Sequence, residues 1–237
     1  MAAYFVTGTD TDAGKTLVTA GLLALARRRG LTTLGLKPIA SGSESLIFKD
    51  GTSGLRNADA LALQAQSHPA VPYALVNPHA FAPAIAPHLA ARRAGVALTL
   101  DDLIPRVRAG LARRRDLTLV EGAGGWRVPL NDREDLAELA VRLQVPVILV
   151  VGLRLGCISH ARLTAEAIAA SGLRLAGWAG SLVDPAFAAD PALYDDNLAT
   201  LARTLTAPCL GILPRLPTSE PHDMAVAAAA CLELPDD

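Results

Sequence analysis

Two lysines, two carboxylates and one threonine hydroxyl stand out as groups able to do chemistry in this sequence. Residues 4–16 read YFVTGTDTDAGKT, a loop of small residues that closes on Gly14-Lys15-Thr16. Small residues let backbone N–H groups curl around phosphate oxygens, and a helix beginning there points its positive end at the same anion. Lys15 can neutralise β/γ oxygens as a compact point charge, and the Thr16 hydroxyl can join a Mg²⁺ shell. The usual spacing is G-x-x-x-x-G-K-[ST]; the first glycine position is Thr9 in this chain, and Gly8 sits one residue early. Only three lysines (Lys15, Lys37, Lys49) occur among 22 basic residues. Two of them lie in or just after this unit, where an ammonium differs chemically from a guanidinium.

The two acids need more context. Asp59 falls in the first turn of a helix that Asn57 can cap, so it serves either as a complement to the helix dipole or as a ligand. Glu121 follows the apolar run Leu117–Val120 and enters Gly122-Ala123-Gly124-Gly125. A carboxylate at the carboxyl end of a buried strand, beside a loop of almost no side chains, suits a metal ligand near a phosphate. Cys157 lacks a base nearby in sequence and reads as a small buried residue rather than a nucleophile.

The elements that must position these groups alternate along the chain. Tyr4–Val6 reads as a buried strand, and the near-helical recurrence of Leu17, Val18, Leu22, Leu23 and Leu25 as a helix stopping at Arg29-Gly30. Strand, loop, Gly-Lys-Thr and helix together make the P-loop reading. A second strand over Thr32–Lys37 ends at Lys37, on the side where ligands gather in open α/β sheets. Residues 42–56 read as a mobile loop, and 68–87 as an irregular, proline-punctuated stretch. Helices are expected over Leu89–Arg93, Asp101–Arg114, Asp135–Leu143, Ala192–Leu205 and Met224–Leu232, and another opens near Gly156–His160. Strands are expected at Leu117–Val120, Val145–Val151, Leu173–Leu182 and Pro208–Leu213. Apolar strands separated by helices predict an α/β fold: a mostly parallel sheet with helices on both faces, P-loop NTPase-like, in a single domain over 1–237.

Composition excludes other classes. A formal net charge of −1 without a basic stripe argues against nucleic acid. The arginine clusters 27–29 and 113–115 each close an expected helix, where cations offset the dipole. Three widely spaced cysteines with no C-x-x-C argue for a reducing cytoplasm and against a disulfide frame or zinc site. The longest apolar run, Val145–Leu153, is far too short to span a bilayer, so no membrane role and a cytoplasmic location are expected.

Across nearly the whole chain the sequence resembles one family, the dethiobiotin synthetases. The blocks are VTGTDTDAGKT at 6–16, LKPIASG at 36–42, GLRNADALAL at 54–63, VNPHAF at 76–81, VEGAGGW at 120–126, PVILVVG at 146–152 and LGCISHA at 155–161. The resemblance implies an ATP- and Mg²⁺-dependent ligase of biotin biosynthesis. CO₂ (or bicarbonate as its source) adds to an amine of 7,8-diaminopelargonic acid, ATP phosphorylates the carbamate, and the second amine displaces phosphate to close a cyclic urea. It places the metal on Thr16, Asp59 and Glu121, and makes Lys15 and Lys37 the catalytic pair that stabilises charge on the γ-phosphoryl group and carbamate.

The resemblance further places the nucleotide against Thr9, Asp10, Thr11, Asp12, Ala13, Gly14, Lys15, Thr16 and Leu17, with Glu121, Gly122, Ser181 and Pro214. Substrate would meet Thr11, Lys37, Ser41, Gly124 and Gly125. It also implies a homodimer in which backbone amides around Gly156, Cys157, Ile158 and Ser159 of one subunit hold the substrate carboxylate of the other. Two departures stand in the chain: Ser181 occupies the position of an adenine-reading asparagine, whose paired donor and acceptor it lacks, and Ser159 replaces an asparagine found in some relatives. The alternative class is a regulatory P-loop ATPase of the partition or septum-positioning kind, which shares the fold but carries a signature lysine where this chain has Asp10.

Overall fold

The computed structural model describes residues 1–47, 53–216, 218 and 220–236; Lys49 lies outside them. In chain order the elements open with β1 (Ala2–Gly8), α1 (Lys15–Arg28), β2 (Thr33–Leu36), β3 (Ile39–Ser41), β4 (Glu44–Ile47) and β5 (Ser53–Arg56). There follow α2 (Ala58–Ala65), α3 (Tyr73–Val76), β6 (His79–Phe81), α4 (Pro87–Arg93), α5 (Leu100–Leu111), β7 (Leu117–Glu121) and α6 (Leu136–Leu143). The last third holds β8 (Val147–Leu153), α7 (Cys157–Ala170), β9 (Leu175–Leu182), a 3-10 turn at Pro185–Ala188, α8 (Pro191–Thr204), β10 (Cys209–Leu213) and α9 (Pro221–Ala229).

Six strands form one parallel sheet in the order β10-β9-β8-β1-β7-β2. Because successive strand residues face opposite ways, β8 shows how the sheet is covered. Ile148 and Val150 join one apolar cluster, with Phe5, Val18 and Leu139, while Leu149, Val151 and Leu153 join a second, with Cys157, Ala161 and Leu201. Both faces are therefore buried under helices, and the strands read as continuous apolar runs rather than alternating ones. Cys157 is a core residue whose thiol burial pushes up in pKa, away from the reactive thiolate.

Local chemistry sets the helix starts. Asn57 is the N-cap of α2, its side chain accepting from the Ala60 N–H at 3.3 Å. Asp135 and Glu138 form a reciprocal capping box at α6. The alanine-rich α9 packs tightly on α1: a Cβ added at Gly21 would lie 2.8 Å from both Ala228 Cβ and Leu232 Cδ1. Among the described residues no helix is long and apolar enough to cross a membrane.

Two expectations are corrected. Within 42–56, Glu44–Ile47 and Ser53–Arg56 are not a mobile loop but pair as an antiparallel ladder, Glu44 opposite Arg56 and Ile47 opposite Ser53. The expected irregular stretch 68–87 contains the α3 turn and β6, which pairs in parallel with β3, Ser41 opposite Phe81. Both are short elements outside the main sheet, with too few residues to establish an apolar period.

Candidate active site

β1 ends at Gly8, and residues 9–14 turn before α1 begins at Lys15. The turn needs left-handed backbone at Gly14, with φ +87°, which glycine adopts without steric cost. A Cβ there would lie 2.3 Å from Ser181 Oγ, so the loop rests directly on the end of β9. Gly8 makes room for the lysine: a Cβ added to it would stand 3.1 Å from both Cγ and Nζ of Lys15. The early glycine thus accommodates the lysine stem. β8 grips the loop from the other side, with Thr9 N–H donating to Val150 O at 2.9 Å and Gly152 N–H to Thr9 Oγ1 at 3.2 Å.

The parallel strands β1, β7 and β2 are neighbours, so their carboxyl ends bring the loop, Glu121 and the residue after β2 together. Lys37 Nζ donates to Glu121 Oε1 at 2.6 Å and to Gly122 O at 3.3 Å, and lies 2.9 Å from Asp59 Oδ2. Thr16 Oγ1 donates to the same Glu121 oxygen at 2.8 Å. Glu121 is fully buried and Lys37 is 4% exposed. Burial works against charge on Lys37, but the carboxylates of Glu121 and Asp59 hold its pKa above the ordinary lysine value. Burial likewise works against charge on Asp59, and the Lys37 ammonium carries its pKa below the usual carboxylate range.

Lys15 behaves differently. Its ammonium donates to the Asp10 carbonyl at 2.8 Å, and burial, reinforced by the nearby Lys37 charge, lowers its pKa to about 8. A lysine so destabilised as a free cation is prepared to gain from an incoming polyanion.

A cleft of about 1030 Å³ opens over these groups. Asp10, Thr11, Asp12, Gly14, Lys15, Thr16, Leu17, Lys37, Ser41, Asp59, Gly124 and Gly125 all line it. Among the described residues Ser41 Oγ is buried without a hydrogen-bond partner, while the Ser41 carbonyl accepts from Asn57 Nδ2 at 3.1 Å. Glu121 Oε2 is another buried oxygen with no partner among the described residues, while Oε1 accepts from Thr16 and Lys37. A carboxylate with one oxygen left unpaired fits a hard cation that takes few protein oxygens. Among the described residues no group of three or more His, Cys, Asp or Glu could hold a metal, so a metal relying wholly on such side chains has no site.

Other expected residues sit at the margins. Ala13 is buried against Gly152, and Ser181 is buried beneath Gly14 rather than standing free. Pro214 follows Leu213, which is in register with Ser181. Gly156, Cys157, Ile158 and Ser159 form the start of α7 and do not line this cleft. Three further features carry no signal in the sequence. Asn77 Nδ2 donates to the Lys37 carbonyl at 2.6 Å, Arg154 pairs with Asp10, and Met224 and Ala225 of α9 wall the cleft beside Leu17 and Ala62.

The AAA domain family matches residues 2–223. A curated relative from Chromohalobacter salexigens, "ATP-dependent dethiobiotin synthetase BioD", is 69% identical over all of both chains. The protein of the same name from Pseudomonas aeruginosa is 58% identical over 99% of this chain and 97% of its own. Among solved structures the chain is similar to the MinC:MinD cell division complex of Aquifex aeolicus, with TM-score 0.58, 15% identity and 96% and 86% coverage of the two chains. MinD from the same organism gives TM-score 0.56 at 13% identity, over 97% of this chain and 95% of that one. At such identities these structures show the α/β fold alone.

Proposed function

The chain belongs to the ATP-dependent dethiobiotin synthetase family, and from that membership we infer that it uses ATP to carboxylate 7,8-diaminopelargonic acid and close the cyclic urea of dethiobiotin. The single observation that carries the reading at the site is that Lys15, Lys37, Thr16 and Asp59 line one cleft, with Glu121 buried behind it and hydrogen-bonded to both Thr16 and Lys37. MinD proteins share the fold at 16% identity or less, which gives no support to the partition-type switch.

The roles follow from chemistry. Thr9–Leu17 cradle the triphosphate on backbone N–H groups and the α1 N-terminus, with Lys15 against the β/γ oxygens. Lys37, kept protonated by its carboxylate neighbours, faces the charge that builds as the γ-phosphoryl group passes to the carbamate. Ser41 Oγ and Thr11 orient the diamine, and Gly124 and Gly125 let it approach closely. Thr16, Asp59 and Glu121 would hold Mg²⁺, which supplies neutralisation of β/γ-phosphate charge when bound. That Glu121 Oε2 has no partner among the described residues supports that assignment. Ser181 and Pro214 lie on the base side, and Ser181, packed on Gly14, is poorly placed to read a base edge.

The α7 start at Gly156–Ser159 stands apart from the cleft, as a carboxylate site serving a second subunit would; we read the working form as a cytoplasmic homodimer of single-domain chains. Phosphate release from MgATP tests the function. It should require the diamine, and a product heavier by one carbonyl and lighter by two hydrogens should appear. ATP hydrolysis indifferent to the diamine would overturn the reading.

A further inference from the structure

We propose that Arg154 is a positioning residue for the phosphate loop, acting through Asp10 to fix the backbone on which Lys15 docks; this rests on the nucleotide site described above. Arg154 follows β8 directly, and its guanidinium pairs with the Asp10 carboxylate across 144 residues of sequence. Asp10 is the node of the loop. Its other carboxylate oxygen accepts the Thr11 N–H at 2.7 Å, and its carbonyl accepts the Lys15 ammonium at 2.8 Å. One residue thus ties the arginine, the loop backbone and the phosphate-binding lysine together.

The contact completes a grip that the end of β8 already exerts. Val150 O takes the Thr9 N–H, Gly152 N–H reaches Thr9 Oγ1, and Gly152 packs on Ala13 so closely that a Cβ would lie 3.2 Å from the Ala13 Cα. Arg154, two residues on, is the one of these three that acts through its side chain, and it takes hold of Asp10. Its role is not to stabilise the fold. With side chains 39% and 52% exposed, the Arg154–Asp10 pair contributes little to overall stability. What it restricts is the orientation of Asp10, and with it the direction of the carbonyl that holds Lys15. The planar guanidinium is a better restraint than an ammonium, because its donors are fixed relative to one another.

The test measures MgATP affinity by calorimetry, together with KM and kcat, for Arg154→Met, Arg154→Lys, Asp10→Asn and the double variant Asp10→Asn/Arg154→Met. Arg154→Met should weaken nucleotide binding about tenfold and raise KM for ATP in step, with kcat changed by less than about threefold and the melting temperature nearly unmoved. Arg154→Lys should recover part of the loss. The double variant should bind about as weakly as Arg154→Met, since both changes break one contact. Wild-type affinity in Arg154→Met would overturn the proposal. So would additive losses, or restored affinity in the double variant, which would mean that the arginine merely masks a carboxylate. Wild-type protein that fails to bind MgATP would instead overturn the nucleotide site itself.

Discussion

Lys37 Nζ lies 2.6 Å from Glu121 Oε1, a charge pair buried at the meeting point of β2 and β7 with Asp59 closing the other side at 2.9 Å. Breaking a buried pair by removing one partner leaves the other uncompensated, at about 3–5 kcal/mol. Lys37→Gln should therefore lower unfolding free energy by about that amount in urea titrations, as well as reduce kcat by at least about 10²–10³ through loss of transition-state charge stabilisation. Near-normal turnover in a folded Lys37→Gln protein would remove the residue from the mechanism.

Lys15 gives the account a pH signature. Its pKa of about 8 in the nucleotide-free protein means that the ammonium is lost as pH rises through that value. The ratio kcat/KM for ATP reports the free enzyme, so it should be level below pH 8 and fall about tenfold per unit above it. Protein stability runs the other way. The unfolded chain keeps this proton up to its ordinary value of 10.5, so the cost of burying the charge is full below pH 8 and relieved between 8 and 10.5. A flat kcat/KM profile to pH 9.5 would contradict the assignment.

Gly14→Ala should cost nucleotide affinity. The residue is held at φ +87°, where a side chain adds about 1–2 kcal/mol of strain, and its Cβ would collide with Ser181 Oγ at 2.3 Å. Adding Ser181→Gly relieves the collision but not the strain, so affinity measured with a fluorescent nucleotide should recover in part. Unchanged affinity in Gly14→Ala would show that the loop does not rest on β9 when nucleotide binds.

Asn57 links the fold to the proposed substrate site. It caps α2, which carries Asp59, and donates to the Ser41 carbonyl at 3.1 Å. Asn57→Ala should lose about 1 kcal/mol of stability from the missing cap and raise KM for the diamine more than KM for ATP. Equal changes in the two constants would separate Ser41 from the diamine.

Much of this arrangement was legible from the chain alone, for definite reasons. The strands of the main sheet announce themselves because both faces are buried, so runs such as Val147–Leu153 carry no polar interruption. Gly14-Lys15-Thr16 between a strand and a helix specifies a phosphate loop, and Glu121 is fixed by the strand that precedes it. The β4–β5 ladder escaped notice because its strands are short and largely exposed, Leu46 and Ile47 included, so no apolar face imprints a period. The Arg154–Asp10 pair escaped because nothing near residue 154 hints at a partner 144 positions away. Packing of α9 against the cleft was hidden for a related reason: an alanine-rich helix signals burial, not what it is buried against.

The most direct test of the central claim supplies ¹³C-bicarbonate, 7,8-diaminopelargonate and MgATP, then follows the product by mass spectrometry alongside ADP. One labelled carbonyl carbon should enter each product molecule, with one ADP formed per ring closed and none without the diamine. Unlabelled product, or ADP accumulating without ring closure, would contradict it.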